Sequence, residues 1–134
     1  MTQHRPTIAI LSPGDMGHAV GKVLVEYGLQ VITSLHGRSV RTRQLAARAG
    51  IHDVGTLAAL VHDADLILSI LVPDQAVATA QVVAQALSTT NQEVLYVDCN
   101  AVAPQTAHAI DRIISGAGSR FVDAGIIGPP PHKP

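Results

Sequence analysis

The chain has 134 residues, a formal net charge of −1 and 47% apolar residues, with Tyr27, Tyr96 and Phe121 as its aromatic side chains. That length suits one domain burying roughly two thirds of its unfolded surface, and an aliphatic core of this kind suits a parallel sheet covered on both faces. Without a basic stripe or stacking aromatics no nucleic-acid partner is expected, and no apolar run approaches the ~20 residues of a membrane span.

The single cysteine, Cys99, allows no internal disulfide, and the residues before Ile8 lack the apolar run of a signal peptide, so a cytoplasmic location is expected. Residues 7–11 are a β-branched apolar run that stops at Ser12-Pro13-Gly14, which predicts a buried strand turning sharply into a helix over 16–27, ended by Gly28. A second strand over 30–35 closes at His36-Gly37-Arg38-Ser39. Ser39 is placed to cap a helix running to Ala49, with Leu45, Ala46 and Ala49 on its apolar face and Gly50 at its end. A short strand over 51–54 and a brief helix over 56–62 lead to the most apolar run, 66–72, predicted as a central strand. Pro73 stops it and takes the first turn of a helix over 74–87. A polar loop over 88–92, a strand over 93–98, a helix over 104–115 and a last strand over 120–124 complete the pattern. Strands alternating with helices imply right-handed crossovers, and the predicted fold is α/β, a doubly wound parallel sheet in three layers.

In such sheets ligands sit beyond the carboxyl ends of the strands, near the point where strand order reverses. At the first such end Gly14 and Gly17 match the second and third glycines of G-x-G-x-x-G, where one admits a pyrophosphate and the other lets the helix pack on its strand. Ser12 stands in place of the first glycine, and Ser12-Pro13 must make the turn with a fixed proline φ. The helix beyond would aim its free N–H groups at the phosphates. A partial motif fits an ordinary ligand-free strand–helix turn equally well. The second strand end discriminates further. An NAD site presents Asp or Glu about 20 residues past the glycines to hold the ribose diol, whereas here Arg38 can pair with a 2′-phosphate and Ser39 can add a hydroxyl donor. Arg41 and Arg43 lie close by and suit a solvated helix face as readily as a cofactor contact.

Five ordered blocks between Thr7 and Gly128 resemble the cofactor-binding domain of the β-hydroxyacid dehydrogenase superfamily, which includes 6-phosphogluconate and 3-hydroxyisobutyrate dehydrogenases. Leu11-Ser12-Pro13-Gly14-Asp15-Met16-Gly17 looks like its G-x-G-x-M-G turn, and Gly37-Arg38-Ser39 like the Asn-Arg-Thr of its NADP-using members. Leu71-Val72-Pro73 resembles its Leu-Pro wall beside the cofactor. Asp98-Cys99-Asn100-Ala101-Val102-Ala103-Pro104 resembles its Asp-x-Ser-Thr-x-x-Pro block, and the stretch from Phe121 to Gly128 its Phe-x-Asp-Ala-Pro-Val-Ser-Gly block. The resemblance implies a Rossmann fold over residues 1–128, with 129–134 a truncated linker towards an absent helical domain. It implies NADP as cofactor, with NAD possible, and assigns to it Ser12, Pro13, Gly14, Asp15, Met16, Gly17, Arg38, Ser39, Leu71, Val72, Pro73 and Asn100. Asn100, Ala101 and Gly128 fall on the substrate side. The implied function is hydride transfer between the nicotinamide and a small hydroxy acid or related substrate in a homo-oligomeric full-length protein.

The departures bear on the substrate. Asn100 replaces the family's serine, Ala101 its threonine and Ile127 its second serine, so the usual small hydroxy-acid carboxylate is put in doubt. The family's catalytic lysine lies on a later helix, beyond the end of this chain, and neither Lys22 nor Lys133 is expected to replace it. No catalytic residue is therefore expected here. The seven histidines show no i, i+4 pairing and no nearby cysteine cluster, so no metal site is expected; His18 and His36 stand near the predicted groove. Asp98 and Asp123 end strands and are expected to cap the following loops, and Cys99 to be a small buried hydrophobe. A non-catalytic nucleotide-sensing module needs the same groove and remains an alternative. An S-adenosylmethionine-dependent methyltransferase would want an acid where Arg38 stands.

Overall fold

The computed structural model describes residues 5–11, 14–126 and 130–131. β1 (Thr7–Leu11) leads into α1 (Asp15–Glu26), β2 (Gln30–Thr33) into α2 (Val40–Ala49), and β3 (His52–Asp53) into α3 (Leu57–Asp63). β4 (Leu66–Ser69) passes through a 3₁₀ turn (Pro73–Gln75) into α4 (Ala76–Thr90), β5 (Leu95–Asp98) leads into α5 (Pro104–Gly116), and β6 (Arg120–Asp123) follows. All six strands are parallel, in the order β3-β2-β1-β4-β5-β6. The order reverses between β1 and β4, so a crevice opens where the chain leaves those two strands in opposite directions.

Alternation along the strands divides the core into two layers. On one face α1 and α2 cover Ile10, Val31 and Ile70 with Ala46, Ala49 and Ile51. On the other, α3, α4 and α5 cover Ala9, Ile32, Ile67 and Tyr96 with Leu60, Val83, Leu87, Ile110 and Ile114. Gly21 lets α1 approach this closely: a Cβ there would stand 2.5 Å from Ile51 Cδ1 and 3.1 Å from Ile10 Cδ1.

Element identities match the sequence pattern, while several boundaries move for reasons that are local. The second strand ends at Thr33, not Leu35, because the Leu35 N–H goes to Asp53 Oδ1 and the Ser34 hydroxyl to the Gly55 carbonyl, outside the ladder. The central strand ends at Ser69, not Val72, since β1 and β5 both stop opposite Ser69, at Leu11 and Asp98. Pro73 opens a 3₁₀ turn rather than α4 itself. At its other end α4 runs three residues past Leu87 into the expected loop, with the Thr89 and Thr90 hydroxyls bonded back to the carbonyls of Gln85 and Ala86, and Asn91 ends it in the left-handed region. The fifth strand starts at Leu95 rather than Glu93, the Val94 N–H having gone to Ser119 Oγ.

Candidate functional site

A groove of ≈ 640 Å³ opens at the carboxyl ends of β1 and β4. One wall is the start of α1, Gly14 to Gly17; the other is Ile70, Leu71 and Val72 with Gln75 and Thr79, and Arg38 closes one side. Gly14 is the N-cap of α1, and its carbonyl accepts from the His18 backbone N–H at 2.8 Å and from His18 Nδ1 at 3.0 Å. The N–H groups of Asp15, Met16 and Gly17 precede the first intrahelical bond and belong to residues lining the groove, so the positive end of the helix faces it. A Cβ built on Gly14 meets nothing within 4 Å among the described residues, so that glycine leaves open space over the helix N-terminus. An extended diphosphate fits such a cradle, both in charge and in the room it needs.

The turn that carries Arg38 is held from several directions. The Arg38 N–H donates to the Leu35 carbonyl at 2.9 Å across Gly37, whose φ of +76° suits glycine. Arg43 donates through Nη2 to the Leu35 carbonyl and through Nε to the Arg38 carbonyl, at 2.9 and 3.3 Å. Arg43 is thus committed to the turn itself, and Arg41 pairs with Asp15 at 2.9 Å with both side chains exposed, an ion pair that adds little stability. Ser39 caps α2, accepting from the Thr42 N–H and donating to the Thr42 hydroxyl, and does not line the groove.

Behind the Leu71 wall lies a buried polar cluster. The Asn100 side chain accepts from the Leu71 N–H at 2.7 Å and donates to Ser69 Oγ at 3.2 Å, while its own N–H donates to Asp98 Oδ1 at 2.8 Å. Asp98 therefore caps the loop after β5, as its position at a strand end suggests. Asp98 Oδ2 and the Tyr96 hydroxyl have no hydrogen-bond partner among the described residues. Burial, the largest effect, pushes the Asp98 carboxyl above its ordinary value, and the Asp123 charge across the β5–β6 ladder pushes the same way against the Asn100 N–H. Burial likewise pushes the Tyr96 hydroxyl up to about 12 and the half-buried Cys99 thiol up to about 11, which leaves that thiol unreactive.

Of the residues expected at the cofactor, Gly14, Asp15, Met16, Gly17, Arg38, Leu71 and Val72 meet in one groove. Pro73 heads the 3₁₀ turn just beyond it, Asn100 stands behind its wall, and Ala101 is exposed at the end of β5. Ser12, Pro13 and Gly128 lie outside the described residues. Gln75 and Thr79 also line the groove and had no motif to announce them. Their position on the first turns after the β4 strand end was the available signal, and polar side chains four apart share a helix face. Among the described residues no group of His, Cys, Asp and Glu is placed to hold a metal, and no helix is long and apolar enough to cross a membrane.

The chain is 31% identical over 100 residues to an uncharacterized 28.5 kDa protein in the 7S RNA 5′ region of Methanothermus fervidus, an alignment that covers 75% of this chain and 37% of that protein. Its fold matches 3-hydroxyisobutyrate dehydrogenase from Mycobacterium tuberculosis, solved with L-serine, at TM-score 0.80 and 21% identity, covering 94% of this chain and 42% of that one. It also matches imine reductase from Myxococcus stipitatus, solved with NADP+ (TM-score 0.75, 21% identity, 93% and 42% covered) and, as a variant, with NAD+ (TM-score 0.79, 19% identity, 95% and 43% covered). The chain thus spans under half the length of these relatives. Residues 7–131 match the family described as the NAD binding domain of 6-phosphogluconate dehydrogenase, and with the match running over nearly the whole chain, the protein belongs to that family.

Proposed function

We propose that the groove binds NADP(H) in preference to NAD(H), as the cofactor domain of an oxidoreductase moving hydride between the nicotinamide and a small hydroxy acid or related substrate. The observation that carries this reading is that Gly14, with open space above the α1 N-terminus, and Arg38, at the end of β2, border the same groove. In this reading the backbone N–H groups of Asp15 to Gly17 hold the diphosphate. Arg38 reaches the 2′-phosphate on the adenosine side, and Asp15, the one carboxylate among the described residues lining the groove, is engaged with Arg41. Ile70, Leu71 and Val72 form the apolar wall, with Pro73 heading the turn just beyond it. Ser39 supports Arg38 by capping α2, and Asn100 supports the wall. The substrate approaches past Ala101, which is exposed beyond the end of β5. When bound, the cofactor supplies the hydride donor or acceptor; this chain's residues bind and orient it.

The test is a titration of the 134-residue chain with NADPH and NADH, followed by fluorescence. NADPH is expected to bind roughly tenfold or more tightly, the size of one charge-assisted contact, and Arg38→Ala should bring the two affinities together. Equal affinities in the unmodified chain, or a preference that survives Arg38→Ala, would overturn the assignment of Arg38.

A further inference from the structure

We propose that Asp98 and Asn100 are a positioning pair that fixes the Leu71–Val72 wall of the groove from behind, so that two buried side chains off the groove surface set its binding geometry. The proposal rests on the reading of the groove as a dinucleotide site. Past Ser69 the central segment has lost its sheet neighbours, because β1 ends at Leu11 and β5 at Asp98, both in register with Ser69. One further rung remains, from the Cys99 N–H to the Ser69 carbonyl at 3.0 Å. Leu71 and Val72 nevertheless form one side of the groove, and Val72 is exposed.

Leu71 is held by the Asn100 amide, and the Val72 carbonyl beside it accepts from the Gln75 N–H at 3.0 Å. The Asn100 amide oxygen takes the Leu71 N–H and its nitrogen reaches Ser69 Oγ, so one side chain bridges the end of β5 to two positions of the departing segment. Asp98 Oδ1 in turn accepts the Asn100 N–H and sets the backbone from which that amide projects. Ser69 and Asp98 are fully buried and Asn100 is 6% exposed, so water is kept from the Asn100 bonds to Ser69 and Asp98, while the bond to the Leu71 N–H is half-buried. With Asn100 truncated, the half-buried Leu71 N–H would lose its acceptor and the segment its tie to the end of β5. Neither Asp98 nor Asn100 lines the groove, so their effect on a ligand passes through Leu71.

The experiment compares Asn100→Ala, Asp98→Ala and Asp98→Asn in the 134-residue chain by amide hydrogen exchange and by NADPH titration. In Asn100→Ala the Leu71 amide is expected to exchange roughly tenfold faster or more, while the Leu68 amide within β4 keeps its protection, and NADPH affinity should fall by a similar factor. Asp98→Ala should move both readouts the same way. Asp98→Asn, which retains an acceptor for the Asn100 N–H, should restore both, an outcome that simple loss of packing does not give. If Asn100→Ala does not fold, the contrast between the two Asp98 variants carries the test, and Ser69→Ala, which removes only the second anchor, should still speed exchange at Leu71. Unchanged Leu71 exchange would overturn the proposal, as would faster exchange with unchanged NADPH affinity. If the unmodified chain binds neither NADPH nor NADH, the dinucleotide reading fails, and Leu71 exchange alone decides whether the two side chains hold the wall.

Discussion

Gly14 adopts φ −74° and ψ −156°, an extended conformation open to any residue, so backbone strain does not account for a glycine there. The empty space above it does. Gly14→Val should leave the fold intact, at a cost of about 1 kcal/mol from the poorer cap on α1, and abolish NADPH binding by filling the room a diphosphate needs. Circular dichroism and titration of one sample check both halves, and a folded variant with normal affinity would reduce the glycine turn to a connection. Asp98 gives a pH-dependent expectation. Its carboxyl is raised in the folded chain, so the folded state holds its proton more tightly than the unfolded state does, and this group's contribution to stability is largest at low pH. That contribution falls as pH rises from the ordinary carboxylate range through the raised folded value. Asp98→Asn removes the titration, so denaturant unfolding should find the variant gaining on the parent across that interval and by a constant amount above it. A difference that does not change with pH would show that Asp98 stays ionised at no cost. The glycine turn and Arg38 were legible in the sequence because their signals are local. Asn100 was legible as a polar group at a strand end but not as the acceptor for Leu71, because that partner lies 29 residues away. Ser39 satisfied two readings at once, and its hydroxyl is engaged with Thr42 at the helix cap.

At the scale of elements, hydrophobic period and punctuation identified every strand and helix, and what they missed was where each stops. A strand's end depends on where its neighbours end: Ile70 continues the apolar run, but among the described residues no strand continues beside it. A helix's end depends on local competition: Ser88, Thr89 and Thr90 are polar enough to read as loop, yet the threonine hydroxyls find carbonyls on the preceding turn and Leu87 is fully buried beneath them. The packing of α1 also hides in a single residue. Gly21 is buried against Ile51 and Ile10, and its spacing from Gly17 gave no sign that it meets another element. Gly21→Ala exchanges about 1 kcal/mol of helix propensity against a methyl that Ile51 must make room for, and the two effects oppose each other. Gly21→Leu should lose clearly, by about 1–3 kcal/mol in urea unfolding, because the larger side chain must push α1 away from β1. An unchanged midpoint in Gly21→Leu would mean that α1 is not seated as closely as its backbone implies.

For the whole molecule, the sheet order gives one crevice and the family gives that crevice a cofactor, but hydride transfer asks for more than binding. A carbonyl or imine needs a proton donor within hydrogen-bond reach of the reacting atom and a cleft that excludes water. Among the described residues near the end of β5, the Tyr96 hydroxyl is fully buried with its pKa near 12, and the half-buried Cys99 thiol sits near 11. Asp98 is sealed in the core and His18 Nδ1 is tied to the Gly14 carbonyl, while Lys22 is exposed on α1. Of the residues that border the groove, Asp15 is engaged with Arg41. The relatives with which this fold aligns are more than twice as long. The 134-residue chain alone is therefore expected to bind NADPH and to show no measurable oxidation of it against panels of keto acids and imines, nor reduction of NADP+ by hydroxy acids. Absorbance of the reduced nicotinamide, followed at saturating cofactor, measures this directly. Robust turnover would overturn the expectation and place the proton donor among His18, His36, Asp98 and Asp123, each of which a single substitution would then test.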